Sequence, residues 1–315
     1  MQLPGPQSYN LLLRFRDKHF QKSLLRGYVP CAQSIYVSRR TLYADIVSLL
    51  DIPFVIKPSN GTGSKRTQLI RDKQMFEKFM NEVADNSDIA FVAESSIQGR
   101  EYCVDGLWEN GNLTWFSIGL YNINVIDFHH GKSLAVQILS NIEHQSLYKR
   151  ASELITKVMQ RLGSKTTVFH LEFFDTEQAL IFSECSARLG GGLIPEIIEY
   201  SYGIDWFNIH FEQGMGMLNE HYLPMTPLQC HAFVYLRSHA ECHQTEEEYR
   251  RIFYPVELRF EPSKYGQSSG SYGNSGYIIV AGASSSELTS TVKAITLHNE
   301  KGAKYDHSSF ITRPQ

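Results

Sequence analysis

Residues 168–192 read VFHLEFFDTEQALIFSECSARLGGG, a pattern of two short strands joined by a turn. Side chains alternate between the two faces of a strand, so Glu172 shares a face with His170, and Glu184 shares one with Ser186 on the returning strand. A turn over residues 176–180 brings the two glutamates nearly opposite each other. We therefore expect an antiparallel hairpin that carries a pair of facing carboxylates.

Like charges that face each other across two strands destabilise a sheet. A hard cation between Glu172 and Glu184 would offset this, because Mg²⁺ binds one or two protein carboxylates and fills its other positions with water and phosphate oxygens. Arg188 follows in the same segment, and its planar group is suited to phosphate or carboxylate oxygens. The alternative for this segment alone is a pair of solvated glutamates on an amphipathic hairpin.

A second segment, residues 52–65, reads IPFVIKPSNGTGSK. A short apolar strand ends at Lys57 and Pro58, and a loop of Gly, Ser, Asn and Thr follows. Such a loop can bring several backbone N–H groups to an anion, and Lys57 adds a positive charge at the strand end. The segment is not a P-loop, because the GxxxxGK[ST] spacing is absent. In addition, residues 66–71 alternate like a strand and do not begin a helix. The alternative is an ordinary turn.

A third segment, residues 91–108, reads FVAESSIQGREYCVDGLW. One strand ends at Glu94, a short link passes Gly99, and Glu101 begins the next strand. Acidic side chains at such an edge can accept hydrogen bonds from an adenine amino group or from ribose hydroxyls. Taken singly, each is equally well explained as a surface glutamate.

In this order, the three segments resemble the ATP-grasp superfamily, and within it most closely the carboxylate-amine ligases, which include D-alanine:D-alanine ligase and the L-amino acid ligases. The resemblance covers about residues 10–215 and continues more weakly to about residue 295. It implies an α+β class with the ATP-grasp fold, in which two α/β subdomains clamp the nucleotide. A small β-rich domain is expected at the C-terminus.

The resemblance implies roles for residues around the phosphates. Lys57 would hold the α- and β-phosphates of ATP, and Lys18 of the Asp17–Lys18 pair would lie near the nucleotide. The loop over residues 59–65 would be the flexible lid over the phosphates. Within that loop, the expected nucleotide contacts are Ser59, Gly61, Gly63 and Ser64.

The same resemblance implies that Glu94 lies at the adenine and Glu101 at the ribose. Glu172 and Glu184 would bind the Mg²⁺ ions that bridge the β- and γ-phosphates, with Mn²⁺ as the alternative ion. Arg188 corresponds to the arginine that steadies the γ-phosphate and then the acyl phosphate, which makes it the expected catalytic residue.

Two features depart from the family pattern. Many members have asparagine where this chain has Ser186, so a hydroxyl replaces an amide oxygen, and we expect a weaker or water-mediated contact to the metal. Full-length members also carry an α/β domain before the Asp17–Lys18 helix. We therefore expect that a second copy, in a homodimer, or a separate chain completes the substrate pocket, or that this is a shortened member.

Four regions follow from these assignments. Residues 1–37 are expected to form an N-terminal helical linker region, and residues 38–100 the small lid subdomain with the glycine loop. Residues 101–225 would form the core subdomain with the metal site, and residues 226–315 a C-terminal α/β domain. Apolar spacing and helix boundary signals predict helices over the following ranges: 8–26, 38–50, 72–83, 145–162, 193–200, 204–211 and 285–298.

Composition fits an enzyme of the cytoplasm. The chain has 315 residues, of which 42% are hydrophobic, enough to bury a large core. A net charge of −3 gives no reason to expect nucleic acid or a membrane surface as a partner. The five cysteines are scattered and odd in number, which favours reduced thiols. The spacing of the group Cys230, His231, His239, Cys242 and His243 matches no standard zinc pattern.

The expected function is an ATP-dependent ligase that joins a small-molecule carboxylate to an amine through an acyl phosphate, with amino acids as substrates. Three alternatives remain open at this point. The first is carboxyphosphate chemistry, as in purine-pathway or biotin-dependent relatives. The second is a non-catalytic or regulatory ATP-binding subunit. The third is a ligase that acylates the thiol of a carrier protein.

Overall fold

The computed structural model describes residues 9–63, 65–83, 90–130, 132–236, 244–260 and 276–301. The chain contains both helices and strands, and the strands form two sheets of different size. The helices are α1 (Tyr9–Arg14), α2 (Lys18–Leu25), α3 (Tyr43–Val47), α4 (Lys73–Val83), α5 (Gln145–Leu162), α6 (Ile194–Tyr202), α7 (Trp206–Met215), α8 (Glu246–Phe253) and α9 (Ser285–Lys301).

The small sheet, defined by β1–β4, has the strand order β1-β4-β2-β3, and each neighbouring pair is antiparallel. Its strands are β1 (Ser34–Val37), β2 (Phe54–Pro58), β3 (Gln68–Ile70) and β4 (Phe91–Ser95). Helices α3 and α4 pack on one side of it and share a core of Ile46, Phe54, Phe76 and Phe79. The glycine loop connects β2 to β3, so the small sheet positions that loop.

The large sheet, defined by β5–β12, has the order β11-β12-β10-β7-β6-β5-β8-β9, and its neighbouring strands are also antiparallel. Its strands are β5 (Arg100–Glu109), β6 (Asn112–Tyr121), β7 (Ala135–Ile138), β8 (Thr167–Asp175), β9 (Leu180–Ser186), β10 (Cys230–Leu236), β11 (Glu257–Phe260) and β12 (Gly276–Gly282). The ATP-grasp expectation of an α+β fold with two sheet-containing parts is confirmed.

Both faces of the large sheet are covered. The interior strand β5 is buried at every position from Glu101 to Trp108, as expected for a strand with helices on both sides. One face packs on α5, whose apolar stripe ends at Gly163 with φ +81°. The opposite face packs on α6 and α7. The site described below lies on the α6 side.

The β8–β9 hairpin forms as the sequence predicts. Its turn is closed by Thr176, whose hydroxyl accepts hydrogen bonds from the Gln178 and Ala179 N–H groups. Glu172 and Glu184 are direct partners in the register, and the register shifts immediately after them. A local irregularity of this kind bends a strand and re-aims side chains. The paired glutamates therefore lie next to an irregularity in the hydrogen-bond ladder between β8 and β9.

The single helix predicted over residues 8–26 is wrong, because the structure has two helices. Asp17 separates the two helices, because its carboxylate accepts a hydrogen bond from the Phe20 N–H at 2.8 Å and caps the N-terminus of α2. In addition, the Lys18 N–H donates to the Ser59 carbonyl at 2.9 Å. The apolar spacing continues across this break, so periodicity alone could not show it.

The helix predicted over residues 38–50 is also shorter in the structure. Residues 38–41 form a turn in which the Thr41 hydroxyl accepts from the Ser38 N–H at 2.9 Å. Only α3 remains helical, and β1 precedes it. The helices predicted near 72–83, 145–162, 193–200, 204–211 and 285–298 are confirmed as α4, α5, α6, α7 and α9.

The predicted division into four regions stays a prediction, but two structural facts bear on it. Strand β1 joins the small sheet from within the expected linker region 1–37. Strands β10–β12 continue the large sheet from within the expected C-terminal domain 226–315. In the described part of the chain, no helix is long and apolar enough to cross a lipid bilayer.

Candidate active site

A cavity of about 690 Å³ lies between the small sheet and the large sheet. Its volume is in the range of small-molecule sites. The sequence-predicted residues that line it are Lys18, Lys57, Gly61, Gly63, Glu94, Glu101, Glu172, Glu184 and Arg188. These residues come from α2, both sheets and two loops. The fold thus brings together groups that are far apart in the sequence.

Three of the predicted site residues are not among the described residues that line the cavity. Ser59 is buried at the start of the glycine loop, and Ser186 pairs with His170 in the hairpin. Neither is among the described residues that line the cavity. Ser64 lies outside the described residues. The nucleotide and metal contacts expected from these three serines stay predictions.

Glu184 has a positive partner on α2. The Lys18 Nζ lies 3.1 Å from Glu184 Oε2, and it also donates to the Gly61 carbonyl at 2.9 Å. Burial alone would raise the pKa of Glu184, but Lys18 and Lys57 outweigh burial and lower the pKa to about 2. This carboxylate is therefore ionised at neutral pH and turned toward the cations of the cavity.

The two facing carboxylates fit a magnesium site. Both offer hard oxygen donors at the cavity wall. Within the described residues, no group of three or more His, Cys, Asp or Glu side chains is gathered for a metal. Two carboxylates without further protein ligands suit Mg²⁺, which keeps water and phosphate oxygens, better than they suit a closed zinc site. Glu172 and Glu184 are thus the residues that would hold the ion.

A buried charge cluster fixes Lys57 opposite this pair. Glu94 lies between two lysines, with Lys22 Nζ at 2.8 Å and Lys57 Nζ at 2.9 Å from its two oxygens. Burial would raise the pKa of Glu94, yet the two lysines lower it. Burial would likewise lower the pKa of Lys57, but Glu94 and Glu184 raise it. Lys57 is therefore a permanent cation at the cavity wall.

This placement bears on the adenine contact expected for Glu94. Both of its oxygens already have ammonium partners, so the carboxylate serves first to hold Lys22 and Lys57. Glu94 does line the cavity. The contact to adenine stays a prediction.

Behind Glu172, a chain of hydrogen-bonding groups crosses three strands. The His170 Nδ1 lies 2.8 Å from Asp105 Oδ2, and His170 Nε2 lies 3.5 Å from Glu172 Oε1. The Tyr121 hydroxyl donates to Glu172 Oε1 at 3.1 Å. Burial would lower the pKa of His170, but Asp105 outweighs burial and raises it to about 10. A protonated His170 between two carboxylates is the consequence.

Asp105 also orders the glycine-rich turn that follows Arg188. Its Oδ1 accepts from the Gly190 N–H at 2.7 Å. A Cβ atom at position 190 would lie 2.8 Å from Asp105 Oδ2 and 3.0 Å from His170 Nδ1. Only glycine lets the backbone approach this closely, so the turn that carries Arg188 is held against β5 and β8.

Glu101 is a buried residue of the cavity wall. Its Oε2 accepts from the Val125 N–H at 2.6 Å. Burial, followed by the charge of Glu172, raises the pKa of Glu101 to about 8. Without a bound ligand, this carboxyl group is therefore mostly protonated at neutral pH.

Sequence reasoning missed Lys22, Asp105 and Tyr121. Two signals could have found the first two. Lys22 stands four residues after Lys18 and thus on the same face of α2. Asp105 is a lone charge in the apolar run YCVDGLW of a buried strand, where a charge needs a partner. Tyr121 gave no such signal.

The chain is similar in sequence to known proteins. Residues 50–196 match the model of the ATP-grasp domain family. The chain is 27% identical over 210 residues to an L-arginine-specific L-amino acid ligase of Bacillus subtilis, covering 64% of this chain and 50% of that protein. The chain spans about half the length of the curated relatives it matches.

Solved structures show the same fold. An L-amino acid ligase from Bacillus licheniformis superposes with a TM-score of 0.71 at 20% identity, covering 92% of this chain and 72% of that chain. An N5-carboxyaminoimidazole synthase from Aspergillus clavatus, in complex with ADP, superposes with a TM-score of 0.65 at 14% identity, covering 91% and 74%. The chain has the ATP-grasp fold, residues 50–196 are similar to the ATP-grasp domain family, and the chain resembles L-amino acid ligases.

Proposed function

We propose that the chain is an ATP-dependent, ADP-forming ligase that activates a carboxylate as an acyl phosphate and transfers the acyl group to an amine. The observation that carries the proposal is the shared cavity: the facing pair Glu172 and Glu184 lines it together with Lys57 and Arg188. Amino acids are the proposed substrates, because one relative is named an L-arginine-specific L-amino acid ligase.

The reaction would proceed in two steps. A carboxylate oxygen attacks the γ-phosphorus of ATP, the bond to the bridging oxygen breaks, and ADP leaves. The amine then attacks the carbonyl carbon of the acyl phosphate, loses a proton, and displaces inorganic phosphate. Phosphoryl transfer of this kind depends mainly on alignment and on neutralising negative charge.

Several residues of the chain are suited to these needs. Lys57, kept positive by Glu94, would hold phosphate oxygens from the small-sheet side. Arg188 would hold the transferred phosphoryl group from the glycine-rich turn. Magnesium bound by Glu172 and Glu184 would offset charge on the β- and γ-phosphates. Glu101 would accept from ribose hydroxyls once its proton is lost.

The first test is a screen for ADP release with Mg²⁺ and ATP, using amino acids singly and in pairs, and bicarbonate separately. Pair-dependent ADP release supports the amine ligase. Release that depends on bicarbonate would instead support carboxyphosphate chemistry. Nucleotide binding without ADP release under any mixture would support a binding subunit.

A variant tests the role of the carboxylate pair. Glu184→Gln keeps the side-chain shape but removes the charge, and we expect ADP formation to fall at least about a hundredfold. The matched control is Glu177→Gln, an exposed glutamate in the turn of the same hairpin, which should leave ADP formation unchanged. Wild-type turnover in Glu184→Gln with the fold retained by circular dichroism would contradict the metal role.

A further inference from the structure

One end of the cavity has an uncharged, largely apolar wall. It is formed by side chains of β6, β7, β10, α6 and the segment before β7, which all belong to one buried cluster on this face of the large sheet. The members of this apolar wall are Tyr121, Leu134, Val136, Ile194, Phe233 and Tyr235. Phe233 and Tyr235 are a contacting pair, with ring centroids 5.0 Å apart.

The strand register places this wall beside the carboxylate pair. Val136 is the partner of Tyr121 on one side and of Phe233 on the other, so the three residues form a row across β6, β7 and β10. Residues paired in this way point to the same face of a sheet. The Tyr121 hydroxyl donates to Glu172 at the near end of the row. The apolar wall is therefore adjacent to Glu172, one of the two proposed metal ligands.

The wall also adjoins the turn that carries Arg188. Gly191 and Gly192 of that turn line the cavity. A Cβ atom at Gly192 would lie 2.7 Å from the Tyr235 hydroxyl and 3.3 Å from Phe233 Cζ. The backbone of the turn therefore rests on the aromatic pair, only a few residues from the guanidinium group.

This arrangement selects among carboxylates. A molecule whose carboxylate lies at Arg188 has the apolar wall within reach of its side chain. Transfer of an apolar side chain from water to such a surface lowers the free energy and so favours binding. A charged side chain would lose its hydration there and meet no opposite charge among the six wall residues, which is costly.

We propose that the apolar wall is the side-chain subsite of the carboxylate substrate, and that this substrate carries an apolar or aromatic side chain. The inference rests on the proposed function, because that function places the substrate carboxylate at Arg188. The aromatic pair Phe233 and Tyr235 would contact the side chain most extensively, and Val136 would form the floor between it and Tyr121.

The test measures equilibrium binding of L-phenylalanine, L-leucine, L-arginine and L-glutamate by calorimetry, with and without saturating ADP and Mg²⁺. We expect L-phenylalanine and L-leucine to bind at least about tenfold more tightly than the two charged amino acids. Phe233→Leu should weaken L-phenylalanine binding about fivefold. Val136→Ala serves as a second, milder variant of the same wall.

The matched control is Phe174→Leu. Phe174 also lines the cavity, but it is the partner of Glu101 on β5, at the proposed nucleotide end. The Phe174→Leu variant should bind ADP more weakly and keep the same preference among the four amino acids. Equal or tighter binding of L-arginine or L-glutamate, no amino acid binding at all, or an unchanged affinity in both wall variants would overturn the inference. Absence of ADP binding would instead overturn the proposed function, whatever the amino acid panel shows.

Discussion

At the scale of single residues, Glu94 and Glu101 show how neighbours set the charge of a buried carboxyl group. Both are buried at the same cavity, seven positions apart. Glu94 lies between two lysines, and its pKa is lowered. Burial, followed by the charge of Glu172, raises the pKa of Glu101 to about 8. The two groups should therefore make opposite contributions to the pH dependence of stability.

For Glu101, a carboxyl group with an ordinary pKa near 4.3 in the unfolded chain has a pKa of about 8 in the folded one. The folded state then binds more protons between these values, so this contribution to stability falls as pH rises toward 8. Glu101→Gln removes it. We expect the variant to gain melting temperature relative to wild type on going from pH 5 to pH 9.

Glu94→Gln is the comparison of opposite sign. Its carboxylate stabilises the fold above the ordinary pKa and loses that effect as pH falls through the lowered folded value. The variant should therefore melt well below wild type at pH 7, with the gap narrowing in acid. Melting curves of both variants that run parallel to wild type over pH 4–9 would contradict these assignments.

At the scale of elements, helix α2 completes the edge of the large sheet. Strand β9 is the last strand in the described order. The Gln21 side chain accepts from the Cys185 N–H at 3.1 Å and donates to the Cys185 carbonyl at 2.5 Å. One amide thus takes the place of a neighbouring strand for this residue, and an exposed edge is avoided.

Gln21→Ala should therefore cost about 1–3 kcal/mol of unfolding free energy, because it leaves two buried backbone groups of Cys185 without partners. Urea unfolding measures the effect. Ser23→Ala is the control on the same helix, since Ser23 is exposed and its hydroxyl donates to the nearby Phe20 carbonyl. Equal unfolding free energies in the two variants would show that Gln21 does not hold the edge.

The sequence shows some elements far better than others. Local rules predict the β8–β9 hairpin and its facing glutamates, because strand alternation and a short turn determine both. The helical spacing of apolar residues and the glycine at the C-terminal end likewise predict α5. The break at Asp17 depends on the contact from Lys18 to Ser59, and the pairing of Asp105 with His170 depends on β5 lying next to β8. Such long-range contacts leave no periodic trace in a single sequence.

At the scale of the whole molecule, the two sheets are connected through buried charges that come from α2. Lys22 donates to the Ser183 carbonyl of β9 at 2.5 Å and pairs with Glu94 of β4. Lys18 pairs with Glu184 of β9 and donates to Gly61 of the glycine loop. Both lysines thus fix the small sheet and its glycine loop against the large sheet, and Lys18 also lines the cavity.

Lys22→Met tests this connection. The variant keeps an unbranched side chain of nearly the same length but leaves Glu94 with Lys57 as its one remaining ion-pair partner among the described residues. Breaking a buried pair is strongly destabilising. We expect a loss of about 3 kcal/mol in unfolding free energy. Hydrogen exchange should accelerate first in the small sheet, because that sheet loses its attachment while the large sheet keeps its own core.

Two further variants make this result specific. Lys73→Met removes a lysine whose ion pair with Glu77 is 3.5 Å long and largely exposed, so it should leave both stability and exchange nearly unchanged. The double variant Lys22→Met/Glu94→Gln should lose less than the sum of the two single losses, because each single variant already breaks the Lys22–Glu94 pair. If Lys22→Met matched Lys73→Met in unfolding free energy, or accelerated exchange equally in both sheets, the lysines of α2 would not be what joins the two halves of the cavity.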